Sequence, residues 1–260
     1  MRWLLGIAAC SLGCGQVGLD TRTDGVAPAD AVPSTDAPPA ILRDCGVYLR
    51  MDEADWAGGA AIDSCGGPAG IVTGGAAVVD DPTRGRVGAF PGGTACVQFA
   101  DGPSNRPGMA LTLSAWVFPT ALDGTTPFGI ISKRAAYQDR SAFTLFLWDR
   151  DAAWIDVDTE DDRFGGAQAL SNDRWTQLTA VFDGSRPSAE RTRLYVDGVL
   201  DTVSGDSATT ITPFAVPLRI GCMPDLADPI AFVGRLDEVV AWNRALEPGE
   251  VAAWYAQTRR

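Results

Sequence analysis

The chain contains no histidine and a single lysine, Lys133. Without histidine there is no Ser-His-Asp triad, no Cys-His pair and no His-ligated zinc. Any catalysis would fall to carboxylates, tyrosine, arginine, cysteine or that one lysine. Basic charge is scarce: 21 Lys and Arg stand against 33 Asp and Glu, a net charge of −12. Such a chain does not hold nucleic acid by neutralising phosphates. Divalent cations or neutral sugars suit it better than polyanions. Long apolar runs are missing too. The stretch at residues 3–9, WLLGIAA, falls far short of the ~20 residues a membrane-spanning helix needs.

What is present is enough for a real core. A chain of 260 residues with 46% hydrophobic content allows one large β-sandwich or two ordinary domains. Arg2 and the short apolar run after it read as an export signal. Small residues precede both Cys10 and Cys14, as in a lipobox, where the cysteine is acylated after cleavage. Cys10 has the better apolar residue three places before it, whereas Cys14 leaves the longer signal and is favoured. Residues 1–14 are thus expected to be a signal peptide ending at a lipidated Cys14. The product would be an exported lipoprotein, periplasmic or on the cell surface, anchored by lipid without spanning the membrane. Residues 15–44 are rich in Pro, Thr, Asp and Ala, with prolines at 28, 33, 38 and 39, and read as a tether. Four cysteines remain, Cys45, Cys65, Cys96 and Cys222. An even number in an exported chain argues for two disulfides, with three possible pairings. No CxxC spacing occurs among them, so a metal cluster has little support.

From Cys45 to the end, short apolar runs alternate with Gly, Pro, Asp and Asn. Leu111, Leu113, Ala115 and Val117 alternate at period two and place one face of a strand in a core. Phe128–Lys133, Ala142–Trp148, Trp154–Thr159, Trp175–Asp183, Leu218–Cys222 and Phe232–Trp242 follow at strand length. Asp197-Gly198, inside Leu194–Leu200, is a type I′ hairpin signal. Only Pro248–Gln257 reads as a helix, with Val251, Trp254 and Tyr255 on one face. Many strands and one late helix predict an all-β, two-sheet antiparallel sandwich over residues 45–260, with no internal repeat.

Seven segments, in order, resemble the laminin-G-like or concanavalin A-like jelly rolls common in bacterial surface proteins. They are Tyr48-Leu-Arg-Met-Asp52-Glu53, Asp63-Ser-Cys-Gly66, Gly85-Arg-Val-Gly88-Ala-Phe90 and LTLSAWVFPT at 111–120, followed by Gly129-Ile-Ile-Ser-Lys133, the pair Trp175–Gly184 with Leu194–Gly198, and Phe232–Glu238 with Trp242–Leu246. The resemblance implies the jelly-roll fold and a lectin-like role, although that fold also hosts enzymes and spacers. It implies a Ca²⁺ site using Asp52 and Asp237, with Asp63 as a further oxygen donor, since Ca²⁺ takes six to eight oxygen ligands. Trp116 and Trp175, on predicted strands, are expected to pack in the core. Cys65 follows the opening strand and Cys96 lies in the next hairpin region, while Cys45 and Cys222 flank an early and a late strand. The expected bridges are therefore Cys65–Cys96 and Cys45–Cys222, which need Cα atoms within about 7 Å.

Two further features bear on function. Asp156, Asp158 and Glu160, at i, i+2 and i+4, would project from one strand face. That spacing resembles the Glu-x-Asp-x-Glu strand of retaining β-glucanases, but Asp156 stands where the nucleophile Glu would be. Tyr137, Trp148 and Trp154 lie near predicted strand ends, where aromatic rings could stack on a sugar. The expected function is therefore an exported monomeric module, not an enzyme, that binds carbohydrate or a surface protein. The alternatives are a glycoside hydrolase using the acidic strand, which would release reducing ends, and a spacer without ligand.

Overall fold

A computed structural model of the chain describes residues 40–52, 56, 58–136, 142–158, 163–224 and 230–260. The expected lipidation at Cys14, Tyr137 and Glu160 lie outside them. Among the described residues, eighteen strands and one α-helix follow in order. The first six strands are β1 (Cys45–Leu49), β2 (Ala60–Ala61), β3 (Gly70–Thr73), β4 (Ala77–Asp81), β5 (Gly85–Pro91) and β6 (Cys96–Phe99). Next come β7 (Ala110–Pro119), β8 (Phe128–Lys133), β9 (Phe143–Trp148), β10 (Ala152–Val157), β11 (Phe164–Ala169) and β12 (Thr176–Asp183). The last are β13 (Thr192–Val196), β14 (Val199–Ser204), β15 (Leu218–Ile220), β16 (Cys222–Met223), β17 (Ile230–Ala231) and β18 (Val233–Trp242), before the helix α1 (Pro248–Thr258).

Sixteen of these strands form two antiparallel sheets, and β16 and β17 pair as a separate hairpin. Sheet A runs β14-β13-β12-β7-β18-β5-β4, with β1 also on β18, and sheet B runs β11-β10-β9-β8-β15-β6-β3-β2. The period-two alternation has the consequence it predicts. Leu111, Leu113, Ala115 and Val117 of β7 all enter one apolar core with Ile131, Leu145 and Ile155 of sheet B. This is the expected jelly-roll sandwich. Asp197 and Gly198 turn β13 into β14 with φ of 50° and 76°, as a type I′ hairpin requires.

The opposite face of sheet A is buried by α1. Pro248 starts the helix, and Glu250 accepts the Glu247 amide in a capping box. Val251 and Trp254 are buried against Tyr48, Val240 and Trp242. The Trp254 ring meets Trp242 edge-on at 5.3 Å. Trp116 is buried as expected and Trp175 half-buried, although neither joins the apolar core between the sheets. They flank the Arg84 guanidinium, at 4.1 and 5.3 Å from the two ring centroids, outside the sandwich core.

The bridges differ from the expected pairing: they are Cys45–Cys65 and Cys96–Cys222. The chain after β1 folds straight back. Ser64 donates its amide to the Tyr48 carbonyl, and the Asp63 carboxylate accepts the Tyr48 amide. That return brings Cys65 beside Cys45. Cys96 points away from the core, and Cys222 lies on the β16–β17 hairpin, which crosses the outward face of β8. A Cβ on Gly129 of β8 would sit 2.5 Å from the Met223 nitrogen, so only glycine lets the hairpin seat there. Peptide mapping under non-reducing conditions should yield linked Cys45/Cys65 and Cys96/Cys222 peptides; a Cys65/Cys96 peptide would contradict this topology.

Lys133 is wholly buried at the end of the sandwich. Its ammonium donates to Asp101 Oδ1 at 2.8 Å, Asn105 Oδ1 at 2.9 Å and the Val216 carbonyl at 2.7 Å. All three donors are used, as a buried ammonium requires. The sole lysine thus ties β8 to the turn at Pro103–Asn105 and to the segment before β15.

Candidate functional site

The outward face of sheet B carries the expected aromatics. Trp148 closes β9, and Trp154 of β10 lies opposite Phe146. The two indoles are half-buried, with centroids 5.2 Å apart and planes at 56°. Phe146 is fully buried beneath them. Trp154 Nε1 donates to the Trp148 carbonyl at 2.9 Å, which fixes one indole relative to the other strand. The connecting residues Asp149, Arg150 and Asp151 all have positive φ, of 29°, 59° and 59°. Three such non-glycine residues in a row are uncommon, and local strain of this kind concentrates at ligand-binding and switch sites. The turn is held by Asp151 Oδ1, which accepts the Gly124 amide at 2.8 Å. Opposite Trp154 on edge strand β11 stands Gly165, where a Cβ would fall 2.6 Å from the indole. The missing side chain lets the ring lie on the strand. Arg163 places its guanidinium 5.7 Å from the Trp148 centroid.

A polar row crosses the same face. The register aligns Asp156 with Thr144, Thr144 with Ser132, Ser132 with Arg219, and Arg219 with Gln98. Asp156, Thr144 and Ser132 are buried, and Arg219 and Gln98 are half-buried. Asp156 and Asp158 do not share a strand face. β10 ends at Val157, and Asp158 turns away with φ of 52° to accept the Thr212 hydroxyl at 2.7 Å. Asp156 faces Arg134 at 2.9 Å, with both side chains almost fully buried. Asp156 is thus tied to Arg134, while Glu160, the other member of the suggested pair, lies outside the described residues.

The expected calcium ligands form a different kind of centre on sheet A. β18 pairs with β5 over its first half and with β1 over its second, and its bulge falls at Asp237-Glu238. Arg84 Nε donates to Asp237 Oδ2 at 2.7 Å, with side-chain exposures of 3% and 0%. Arg84 is aimed by its turn: Asp81 accepts the amides of Thr83 and Arg84. Arg260 donates to Asp52 Oδ1 at 2.8 Å and to Glu238 Oε1 at 3.1 Å. The Tyr48 hydroxyl donates to Glu238 Oε2. The helix end joins the network, because Thr258 Oγ1 accepts from Trp116 Nε1 and Gln177 Nε2 while its carbonyl accepts from Arg84.

This donor set does not fit Ca²⁺. The cation needs six to eight oxygens, but Asp52, Asp237 and Glu238 already accept from Arg260, Arg84 and Tyr48. Asp63 accepts three backbone amides, from Tyr48, Cys65 and Gly67. No group of three or more acidic or cysteine side chains is arranged to hold a metal among the described residues. Arg84, Arg260 and Thr258 are the site residues the sequence reading missed. Arg84 lies 153 positions from its partner and Arg260 lies 208 from Asp52, so no local pattern marks them.

Burial pushes the Asp237 carboxyl up to about 7, against the nearby Arg84 charge. Burial raises Glu238 as well. The folded state therefore holds a proton on Asp237 that the unfolded chain releases at about pH 4. That contribution favours the fold at acid pH and is lost as pH rises through about 7. With no histidine to titrate in that window, the melting temperature should fall between pH 5 and pH 8, on the order of 5 °C. Asp237→Asn should flatten the slope. A midpoint rising over that range in the native chain would contradict the assignment.

Comparison with known proteins follows the fold. A family model described as the concanavalin A-like lectin/glucanases superfamily matches residues 91–252. Sequence comparison with curated proteins gives no match. Among solved structures, the chain is similar to domain 4 of an extracellular arabinanase from Geobacillus stearothermophilus, in complex with arabinotriose. Identity there is 19% and the TM-score 0.58, over 84% of this chain and 98% of that one. It is also similar to the binding domain of Paraclostridial mosquitocidal protein 1, at 14% identity and TM-score 0.62, covering 84% of this chain and 53% of that one. The binding domain of botulinum neurotoxin DC, in complex with rat synaptotagmin II, matches at 12% identity and TM-score 0.59, over 84% of this chain and 52% of that one. The chain thus spans about half of each toxin domain. At these identities the likeness is one of fold.

Proposed function

Because the chain belongs to the concanavalin A-like lectin/glucanase superfamily, we propose that it is an exported binding module that engages carbohydrate at Trp148 and Trp154. The observation that carries this reading is the locked indole pair. Two half-buried rings sit side by side on the outward face of sheet B, next to a turn of three left-handed residues. Aromatic faces of this kind bind the apolar faces of sugars. The arabinotriose complex of a structural neighbour is in keeping with it. A glycosidase role has less support, since Asp156 is paired with Arg134 and Asp158 leaves the strand. Export is supported by the two disulfides. In this reading Cys14 carries a lipid, and residues 15–44 hold the module away from the membrane.

Affinity electrophoresis against soluble arabinan, galactan, xylan and β-glucan tests the binding reading. At least one polymer should retard the native chain. Trp148→Ala and Trp154→Ala should each weaken that interaction, by about 10- to 100-fold, as central aromatic anchors do. Retardation unchanged in both variants would overturn the assignment of the site.

A further inference from the structure

Resting on that reading, we infer that the ligand is a short stretch of a single, twisted, soluble polysaccharide chain and not the face of a crystalline polysaccharide. The angle between the rings carries the argument. A crystalline surface presents sugar rings in one plane, and a protein meets it with coplanar exposed aromatics. Trp148 and Trp154 are inclined at 56°, so at most one of them can lie flat on such a surface. Along a twisted chain, successive sugar rings rotate relative to each other, and two inclined indoles can each face one ring.

The inclination is fixed in the free protein. Trp154 Nε1 is bonded to the Trp148 carbonyl at 2.9 Å. One face of Trp154 rests on Gly165, and Arg163 lies over a face of Trp148. These contacts hold both indoles in place. A preorganised angle selects ligands that already have it, because no reordering has to accompany binding.

The platform is also short. Phe146, the next ring in the cluster, lies 6.5 and 6.4 Å from the two indoles but is fully buried. It supports the indoles and does not lengthen the binding surface. Two rings make contact with two or three sugar units, so affinity should rise with chain length up to the trisaccharide and then level off.

The test uses the folded full chain. Depletion from solution by microcrystalline cellulose and crystalline chitin is measured beside affinity electrophoresis on the soluble polymers. Calorimetry then follows with mono- to hexasaccharides of whichever polymer retards the chain. The expected result is retardation by a soluble polymer that Trp154→Ala abolishes, no depletion by either crystalline material, and affinity constant beyond three units. Depletion by cellulose or chitin that Trp154→Ala abolishes would overturn the inference on chain class while leaving sugar binding at this site standing. Affinity that keeps rising to the hexasaccharide would overturn the two-ring limit. Binding to neither soluble nor crystalline material would overturn the inference together with the reading beneath it.

Discussion

At pH 8, where Asp237 is ionised, Arg84→Met should destabilise the protein by about 3–5 kcal/mol, the range for breaking a buried ion pair from one side. The substitution leaves Asp237, which has no exposed surface, facing methionine. Its Oδ1 already lacks a hydrogen-bond partner among the described residues, so Arg84 supplies much of what compensates the charge. The guanidinium also lies over Trp116 and Trp175 and bonds the Thr258 carbonyl. Its loss therefore loosens the attachment of α1 to sheet A as well. For a domain of this size the melting temperature should fall by roughly 10 °C. Arg84→Met with Asp237→Leu should recover much of the loss, because an apolar pair replaces a buried ion pair at little cost. Thermal scans in EDTA and in millimolar Ca²⁺ should coincide for the native chain, since arginines hold these carboxylates. A Ca²⁺-dependent rise in its melting temperature would show that the carboxylates still bind metal.

Lys133→Met is the second large effect, at about 3 kcal/mol. Methionine fills a similar volume, so the loss is one of polar satisfaction and not of packing. The Val216 carbonyl loses its lysine donor, Asn105 Oδ1 keeps only the Gly102 amide, and Asp101 keeps only Arg106. Each orphaned buried acceptor costs on the order of 1–3 kcal/mol. Asp101 retains 17% side-chain exposure and is partly rehydrated, which keeps this effect below that of Arg84. Lys133→Arg should not rescue, because the planar guanidinium does not place three donors around a point. Urea titration measures both variants; a midpoint within 0.3 kcal/mol of the native chain would refute the role of the buried ammonium.

These two residues mark the limits of what the sequence displays. The core of β7 was legible because its apolar residues recur every second position, and the β13–β14 hairpin because Asp-Gly fits a type I′ turn. The late helix was legible from Pro248 and the spacing of Val251, Trp254 and Tyr255. Trp148 and Trp154 could be named as strand-end aromatics. Their mutual angle could not, since it depends on the positive-φ turn and on Gly165 across the sheet. The cysteine pairing failed because it turns on the way the chain returns from Asp63 to Tyr48. The carboxylates at 52 and 237 were visible, but the arginines that neutralise them come from a hairpin turn and the far end of the chain. Strand patterns report local burial, whereas ion-pair partners are chosen by the assembled fold.

The central claim, that ligand meets the chain at the Trp148–Trp154 pair, is tested most directly by aromatic NMR. The chain has eight tryptophans, and their indole signals report on both outer faces of the sandwich. Titration with oligosaccharides of a retarding polymer should shift the resonances of Trp148 and Trp154 and leave those of Trp116, Trp242 and Trp254 in place. Shifts confined to that second group, on the helix-covered face of sheet A, would contradict the account.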